Sequence, residues 1–189
     1  MNMLFNVHLV CVRVRMMCDV PGLYSCARGD GLYQSDIRVC TFFSITTRYD
    51  IAYATSKLGQ YSAKPTVGAR KALNKMLSYL RNNHTFSIQG IFAPKHDITS
   101  YYSDSDHAGS MPYHSHSHTG NMLLLNDVPI FWKSKKQPVT ARSSAEAEVY
   151  ALDSAVSNAR YINWKREEFK SNVTWPMVVY VDNNQAELF

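Results

Sequence analysis

Eight glycines and seven prolines in 189 residues are too few for a collagen-like or low-complexity chain. Charged residues make up only 19% and hydrophobic ones 46%, which excludes a mostly disordered polyelectrolyte. No run of 18 apolar residues occurs, so no membrane-spanning segment is expected. Cysteine is scarce: Cys11, Cys18, Cys26 and Cys40 all fall in the first 40 residues. They form no C-x-x-C pair and no zinc spacing, and free thiols in a reducing compartment are the expectation. The segment from Met1 to Met17 is apolar but carries Arg13 and Arg15 inside the run, unlike a signal peptide. An intracellular protein, cytoplasmic or nuclear and not secreted, is therefore expected.

What the chain does contain is unevenly spread. Residues 1–97 hold 12 Lys+Arg against 5 Asp+Glu, and residues 98–189 hold 8 against 10. A basic front half joined to a slightly acidic back half suits a phosphate-gripping part beside a carboxylate-bearing part.

Hydrophobic periodicity supplies the elements. Val10, Val12, Val14 and Met16 alternate as in a strand, and Pro21 to Gly31 reads as loop. Ala69, Ala72, Leu73, Met76, Leu77 and Leu80 form one stripe of a helix from Val67 to Arg81. A strand is expected over Ile98–Ser103, continuing into Asp104-Ser105-Asp106. Two more follow at Asn121–Leu125 and Val128–Lys133, joined by a hairpin turn at Asn126-Asp127. Ser143 and Glu146 have capping-box spacing and open a helix running to about Phe169. Its expected buried stripe is Ala145, Val149, Leu152, Ala155, Val156 and Ala159, with Glu148 at the edge and facing the sheet. The apolar run Met177–Val181 then reads as a buried strand ending in Asp182.

Asp104, Glu148 and Asp182 are the candidate chemistry. A hairpin set followed by a helical crossover brings the last strand beside the first, so Asp104 and Asp182 become neighbours with Glu148 over them. Three carboxylates in one place call for cations, and hard oxygen donors select Mg²⁺ or Mn²⁺.

Four motifs in order carry a family resemblance: Tyr102-Ser103-Asp104-Ser105-Asp106-His107-Ala108-Gly109, Ile130–Pro138, Ser143-Ser144-Ala145-Glu146-Ala147-Glu148, and Tyr180-Val181-Asp182-Asn183. They resemble the ribonuclease H domain of copia-type LTR retrotransposon Pol polyproteins. Thr47–Ala54 and the helix ending Ser78-Tyr79-Leu80-Arg81 resemble the reverse transcriptase tail of the same polyproteins. The resemblance implies an α/β fold: a ribonuclease H-like mixed sheet with a crossover helix, C-terminally truncated, preceded by a helical reverse transcriptase tail. It divides the chain into an unassigned segment 1–32, a reverse transcriptase tail 33–97 and an incomplete ribonuclease H-like domain 98–189. It implies that Asp104, Glu148 and Asp182 bind Mg²⁺ (or Mn²⁺) and hydrolyse the RNA strand of an RNA–DNA hybrid, telling the strands apart by shape and the 2′-hydroxyl. Asp106 and Glu146 are expected nearby but not on the metal. Lys133, Lys135 and Lys136 are candidate phosphate contacts.

The pattern has departures. Tyr49 stands where the family commonly has Pro, and His107 where it has Trp. The polymerase Tyr-x-Asp-Asp motif and the fourth carboxylate have no counterpart in this sequence, so no polymerase activity and weakened metal binding are expected. A remnant that binds nucleic acid without cleaving it is the alternative. His114, His116 and His118 make an H-x-H-x-H run that could ligate a metal but reads first as an exposed loop between strands. Tyr161 and Trp164 read as packing residues rather than a base-stacking platform.

Overall fold

The structure is a computed structural model. It describes residues 30–88, 99–106, 116–171, 173 and 177–181. The expected strand at Val10–Met16, Cys11, Cys18, Cys26, His114 and Asp182 lie outside the described residues.

The first element is a helix, α1 (Asp30–Thr46), which extends over Gly31, where the sequence reads as loop. Its buried face is mixed: Tyr33, Asp36, Ile37, Cys40 and Ser44. Two polar residues on the inward face hide the helical period from a hydrophobicity reading. A 3₁₀ turn (Tyr49–Ile51) leads into α2 (Ala52–Gly59). Helix α3 (Val67–Asn82) starts at Thr66, whose side chain accepts a hydrogen bond from the Ala69 amide. Ala69, Leu73, Met76 and Leu80 are buried as the stripe requires, whereas Ala72 is exposed. These helices share one core of Tyr33, Ile37, Cys40, Ile51, Leu58, Leu73 and Leu80. The Tyr33 hydroxyl donates to the Leu58 carbonyl at 2.8 Å and so satisfies its own burial. Cys40 is a free, buried thiol, and burial with the nearby Asp36 charge pushes its pKa up to about 12.

The second half is a mixed four-stranded sheet in the order β3-β2-β1-β4. Strands β1 (Thr99–Asp106), β2 (His118–Leu125) and β3 (Val128–Lys136) pair antiparallel in sequence. Asn126 and Asp127 sit at φ 50° and 63°, the left-handed pair that a two-residue hairpin needs. Helix α4 (Ser144–Glu168) crosses over one face of the sheet. Strand β4 (Val179–Tyr180) returns parallel to β1, pairing Tyr101 with Val179 and Tyr102 with Tyr180. This mixed α/β architecture, with an antiparallel meander, a crossover helix and a returning parallel strand, is consistent with a ribonuclease H-like fold.

Helix α4 is rotated from the expected stripe. Ala147, Ala151, Ala155, Ala159 and Asn163 are buried, together with Glu148. Of the expected residues, Ala155 and Ala159 are inside, Val149 is exposed, and Ala145, Leu152 and Val156 are half-buried. The sheet supplies the bulk at this interface, through Tyr101, Leu123 and Phe131. A row of alanines four residues apart lets the helix axis come close, and the larger side chains turn outward. Tyr161 and Trp164 follow that logic and are exposed, not packed. The cap also has its own form. Ser143 Oγ accepts from the Glu146 amide at 3.1 Å, while Glu146 Oε2 accepts from the amide of Arg142, one residue earlier than in a standard box. Ser143→Ala is expected to cost about 1 kcal/mol in urea unfolding without a change in m-value.

The helical part and the sheet are joined on the face opposite α4. Trp132 Nε1 donates to the Ser44 carbonyl at 2.5 Å, and Tyr49 packs edge-on against Trp132 at 5.8 Å. Lys57 and the Tyr53 hydroxyl both reach Asp106 Oδ2, at 3.1 and 3.2 Å.

Candidate active site

Strand β1 alternates between two environments. Tyr101 and Ser103 are buried toward α4, and Tyr102 and Asp104 are exposed on the other face. Asp104 lies opposite Gly120 on β2, so its paired residue on that strand brings no side chain to its carboxylate. Among the described residues it makes no ion pair or side-chain hydrogen bond. Asp106, on the same face, is instead engaged by Lys57 and Tyr53.

Glu148 approaches from the other side. It is buried to 6% exposure in the second turn of α4. Its helix is held down at this point by Gln137, which is buried in the loop before it. Gln137 Nε2 donates to the Ala147 carbonyl at 3.0 Å, to Thr119 Oγ1 at 3.0 Å and to Ser105 Oγ at 3.3 Å. Gln137 thus ties the start of α4 to both β1 and β2. The expectation that Glu148 faces the sheet holds. Gln137 has no chemical signature in the sequence, because a glutamine gives no hint of its partners.

Asp182 lies outside the described residues, directly after Val181, which lines the cavity on the open face. Asp104 and Asp182 each stand two residues beyond the last β1–β4 pair, Tyr102↔Tyr180. The donor set is chemically suited to a hard divalent ion: carboxylate oxygens with no soft ligands. Asp104 meets that need as an open carboxylate. Among the described residues, however, no group of three ligating side chains gathers.

The histidine run is not an exposed loop where it is described. His118 opens β2 at 2% exposure, its Nε2 2.9 Å from Ser134 Oγ and its ring 5.2 Å from Tyr53. Burial first, then the Lys57 charge, lowers its pKa, so it is held neutral between strand and helix. The lysines lie on edge strand β3. Lys135 and Lys136 are exposed, and Lys133 is half-buried with Nζ 3.5 Å from Ser154 Oγ. Charge along an edge strand also discourages pairing with another chain.

Sequence reasoning assigned no role to the aromatics of the open face. Tyr102 and Tyr180 stack at 5.2 Å with an interplanar angle of 24°. With Trp132, Met122 and Asp104 they line a cavity of about 610 Å³ between the sheet and α2. Alternation within β1 puts Tyr102, Asp104 and Asp106 on one face and could have suggested the grouping. Tyr180 joins them only through the pairing of β4.

Comparison with known proteins places the chain. It is 38% identical over 141 residues to the retrovirus-related Pol polyprotein from transposon RE1 of Arabidopsis thaliana, a match over 72% of this chain and 9% of that protein. It is 36% identical over 139 residues to the corresponding RE2 polyprotein of the same plant, again over 72% of this chain and 9% of the relative. It is also 30% identical over 138 residues to the secreted RxLR effector protein 161 of Plasmopara viticola, covering 73% of this chain and 96% of that one. Over 72% of its length the chain is similar to retrovirus-related Pol polyproteins of transposons. It corresponds to a segment, spanning about a tenth of the length of the two Arabidopsis relatives. No family model matches this Pol-related chain, and no solved structure does. Among the described residues, no helix is long and apolar enough to cross a membrane.

Proposed function

We propose that this Pol segment is of the copia type and that its sheet domain is a metal-dependent ribonuclease H acting on RNA–DNA hybrids, with nucleic acid as its partner. The parallel pairing of β4 with β1 is the observation that carries the reading. In the sequence Asp104 and Asp182 each follow the paired residues Tyr102 and Tyr180 by two positions, which supports their acting together. Glu148, on the sheet-facing side of α4, supplies the third.

In this reading Asp104, Glu148 and Asp182 hold Mg²⁺ or Mn²⁺, which activates a water and steadies the leaving oxygen of a phosphodiester. The chain's own residues set the stage. Asp104 is exposed on the open face of the sheet. Glu148 is held by a helix whose first turns Gln137 fixes to the sheet, so its position varies little. Lys135 and Lys136, exposed at the end of β3, provide phosphate contacts that orient the duplex without reading sequence.

The test is cleavage of a labelled RNA–DNA hybrid by the whole chain with Mg²⁺ or Mn²⁺. Cleavage of the RNA strand that EDTA abolishes and that Asp104→Asn reduces at least about 100-fold is expected. A folded sample that binds the hybrid with a steep salt dependence but leaves it intact in either metal sinks the catalytic reading and favours the nucleic-acid-binding remnant.

A further inference from the structure

We infer that helix α2 sets the metal preference of the site proposed above: Lys57 and Tyr53 hold Asp106 back from the cation, which keeps a site of few carboxylates and favours Mg²⁺ over Ca²⁺. The inference rests on Asp104 being a metal ligand, as in that reading. It adds two residues from outside the sheet that decide which ion is taken.

Strand geometry supplies the difficulty. Asp104 and Asp106 lie two residues apart on β1, and both line the cavity on the open face. Alternation puts their side chains on one side of the strand, roughly 6.7 Å apart along it. Successive carboxylates in calcium-binding loops have the same spacing of two residues, and one ion takes oxygens from both at about 2.3–2.6 Å. Nothing in the strand itself keeps a cation on Asp104 from recruiting Asp106 as well. Ion chemistry makes that matter. Ca²⁺ accepts about six to eight oxygen ligands in flexible arrangements, whereas Mg²⁺ uses about one or two carboxylates and keeps several waters. An added carboxylate therefore rewards Ca²⁺ more than Mg²⁺.

Helix α2 answers the difficulty from outside the sheet. Lys57 Nζ and the Tyr53 hydroxyl both donate to Asp106 Oδ2, at 3.1 and 3.2 Å. The two donors stand four residues apart on α2 and so share one face of the helix. Tyr53 is itself seated. Its ring packs edge-on at 5.2 Å against His118, which is buried and pairs directly opposite Asp106 on β2. Lys57 Nζ lies 5.3 Å from the centre of the Tyr53 ring, so lysine, tyrosine and carboxylate form one packed group. An ammonium thus already balances Asp106, and a divalent ion must displace two hydrogen bonds to recruit it. Asp104, opposite Gly120, has neither donor. The two carboxylates of β1 are alike in chemistry and differ in what α2 brings to them.

Mn²⁺ titration of the whole chain, read by the electron-spin resonance of the free ion with Mg²⁺ and Ca²⁺ as competitors and no nucleic acid, tests this. Wild type is expected to bind Mn²⁺ and to lose it on Asp104→Asn. Lys57→Met, which keeps an unbranched stem, should raise the ratio of Ca²⁺ to Mg²⁺ affinity at least about tenfold. Tyr53→Phe, which keeps the ring on His118 and removes one donor, should raise it by less. Lys57→Arg keeps the charge and should keep the wild-type ratio. Lys57→Met combined with Asp106→Asn should restore it. The ratio is the deciding quantity, because the loss of a lysine charge acts alike on every divalent ion. An unchanged ratio in Lys57→Met, with or without tighter binding of both ions, overturns the inference, as does a ratio shift that survives Asp106→Asn. Wild type that holds no Mn²⁺, or holds it equally after Asp104→Asn, overturns the metal reading and the inference with it. Mn²⁺ lost with Asp104→Asn beside a constant ratio refutes the inference alone.

Discussion

Asp50→Ala is expected to lower the unfolding free energy by about 3 kcal/mol, a large share of the ~5–15 kcal/mol typical of a domain. The reason is what the substitution strands. Arg48 is 4% exposed and donates from Nε and Nη2 to the two Asp50 carboxylate oxygens, at 2.9 and 2.7 Å. Its third contact is Nη1 to the Asn83 carbonyl at 3.0 Å. Its guanidinium lies 4.6 Å from the Phe86 ring centre and 5.6 Å from that of Tyr79. Removing the carboxylate leaves a buried guanidinium with one carbonyl and two ring faces, which cannot replace an anion. Arg48→Met is expected to cost less. The Asp50 side chain is 16% exposed and keeps a 2.8 Å bond from the Tyr79 hydroxyl, so water can complete its solvation. Urea unfolding of both variants checks the asymmetry, and equal losses would show that the pair acts only through its mutual attraction.

The same pair predicts an acid limb. Burial alone would raise the Asp50 pKa, but hydrogen bonds from Arg48 and Tyr79 and the guanidinium charge hold it below the ordinary value. A depressed folded-state pKa means that the contribution is complete above the unfolded value, roughly 4, and is lost as pH falls through the lower folded value. The wild type should therefore lose stability below about pH 4 more steeply than Asp50→Ala, which no longer has that proton to take up.

Glu148→Gln is the second large effect. Under the ribonuclease H reading it should reduce hybrid cleavage at least about 100-fold while leaving the melting temperature unlowered. The substitution keeps the volume of a side chain at 6% exposure and removes a charge that is costly to bury. A carboxylate kept only for structure would show the opposite pattern, a loss of stability with cleavage little changed. Gln137→Leu separates position from chemistry. It removes the three hydrogen bonds that pin the start of α4 to β1 and β2, and it should lower cleavage less than Glu148→Gln but lower stability more.

Periodicity settled the local elements with strong signals. The α3 stripe, the three antiparallel strands, the left-handed hairpin turn at Asn126-Asp127 and the Ser143 cap all depend on neighbours within a few residues, and each is legible for that reason. The same locality made Glu148 readable as facing the sheet, and the ordered motifs pointed to a Pol polyprotein. Helix α1 escaped because Asp36 and Ser44 sit on its inward face, where only the packing of α2 and α3 makes them acceptable. The rotation of α4 escaped because which stripe of a largely alanine-bearing helix is buried depends on the bulk that the sheet presents, through Tyr101, Leu123 and Phe131. His118 reads as loop from its serine-rich neighbours, yet Tyr53, 65 residues earlier, covers it. The stack of Tyr102 on Tyr180 beside Asp104 is the furthest from the sequence. Those residues are distant in the chain, and only the parallel return of β4 after the α4 crossover brings the two rings together. Sequence determined the strongly patterned elements and the similarity to Pol polyproteins because both are written in short-range pattern. Tertiary structure decided the face, the depth and the company of each side chain, because those depend on pairing between segments that no local pattern encodes.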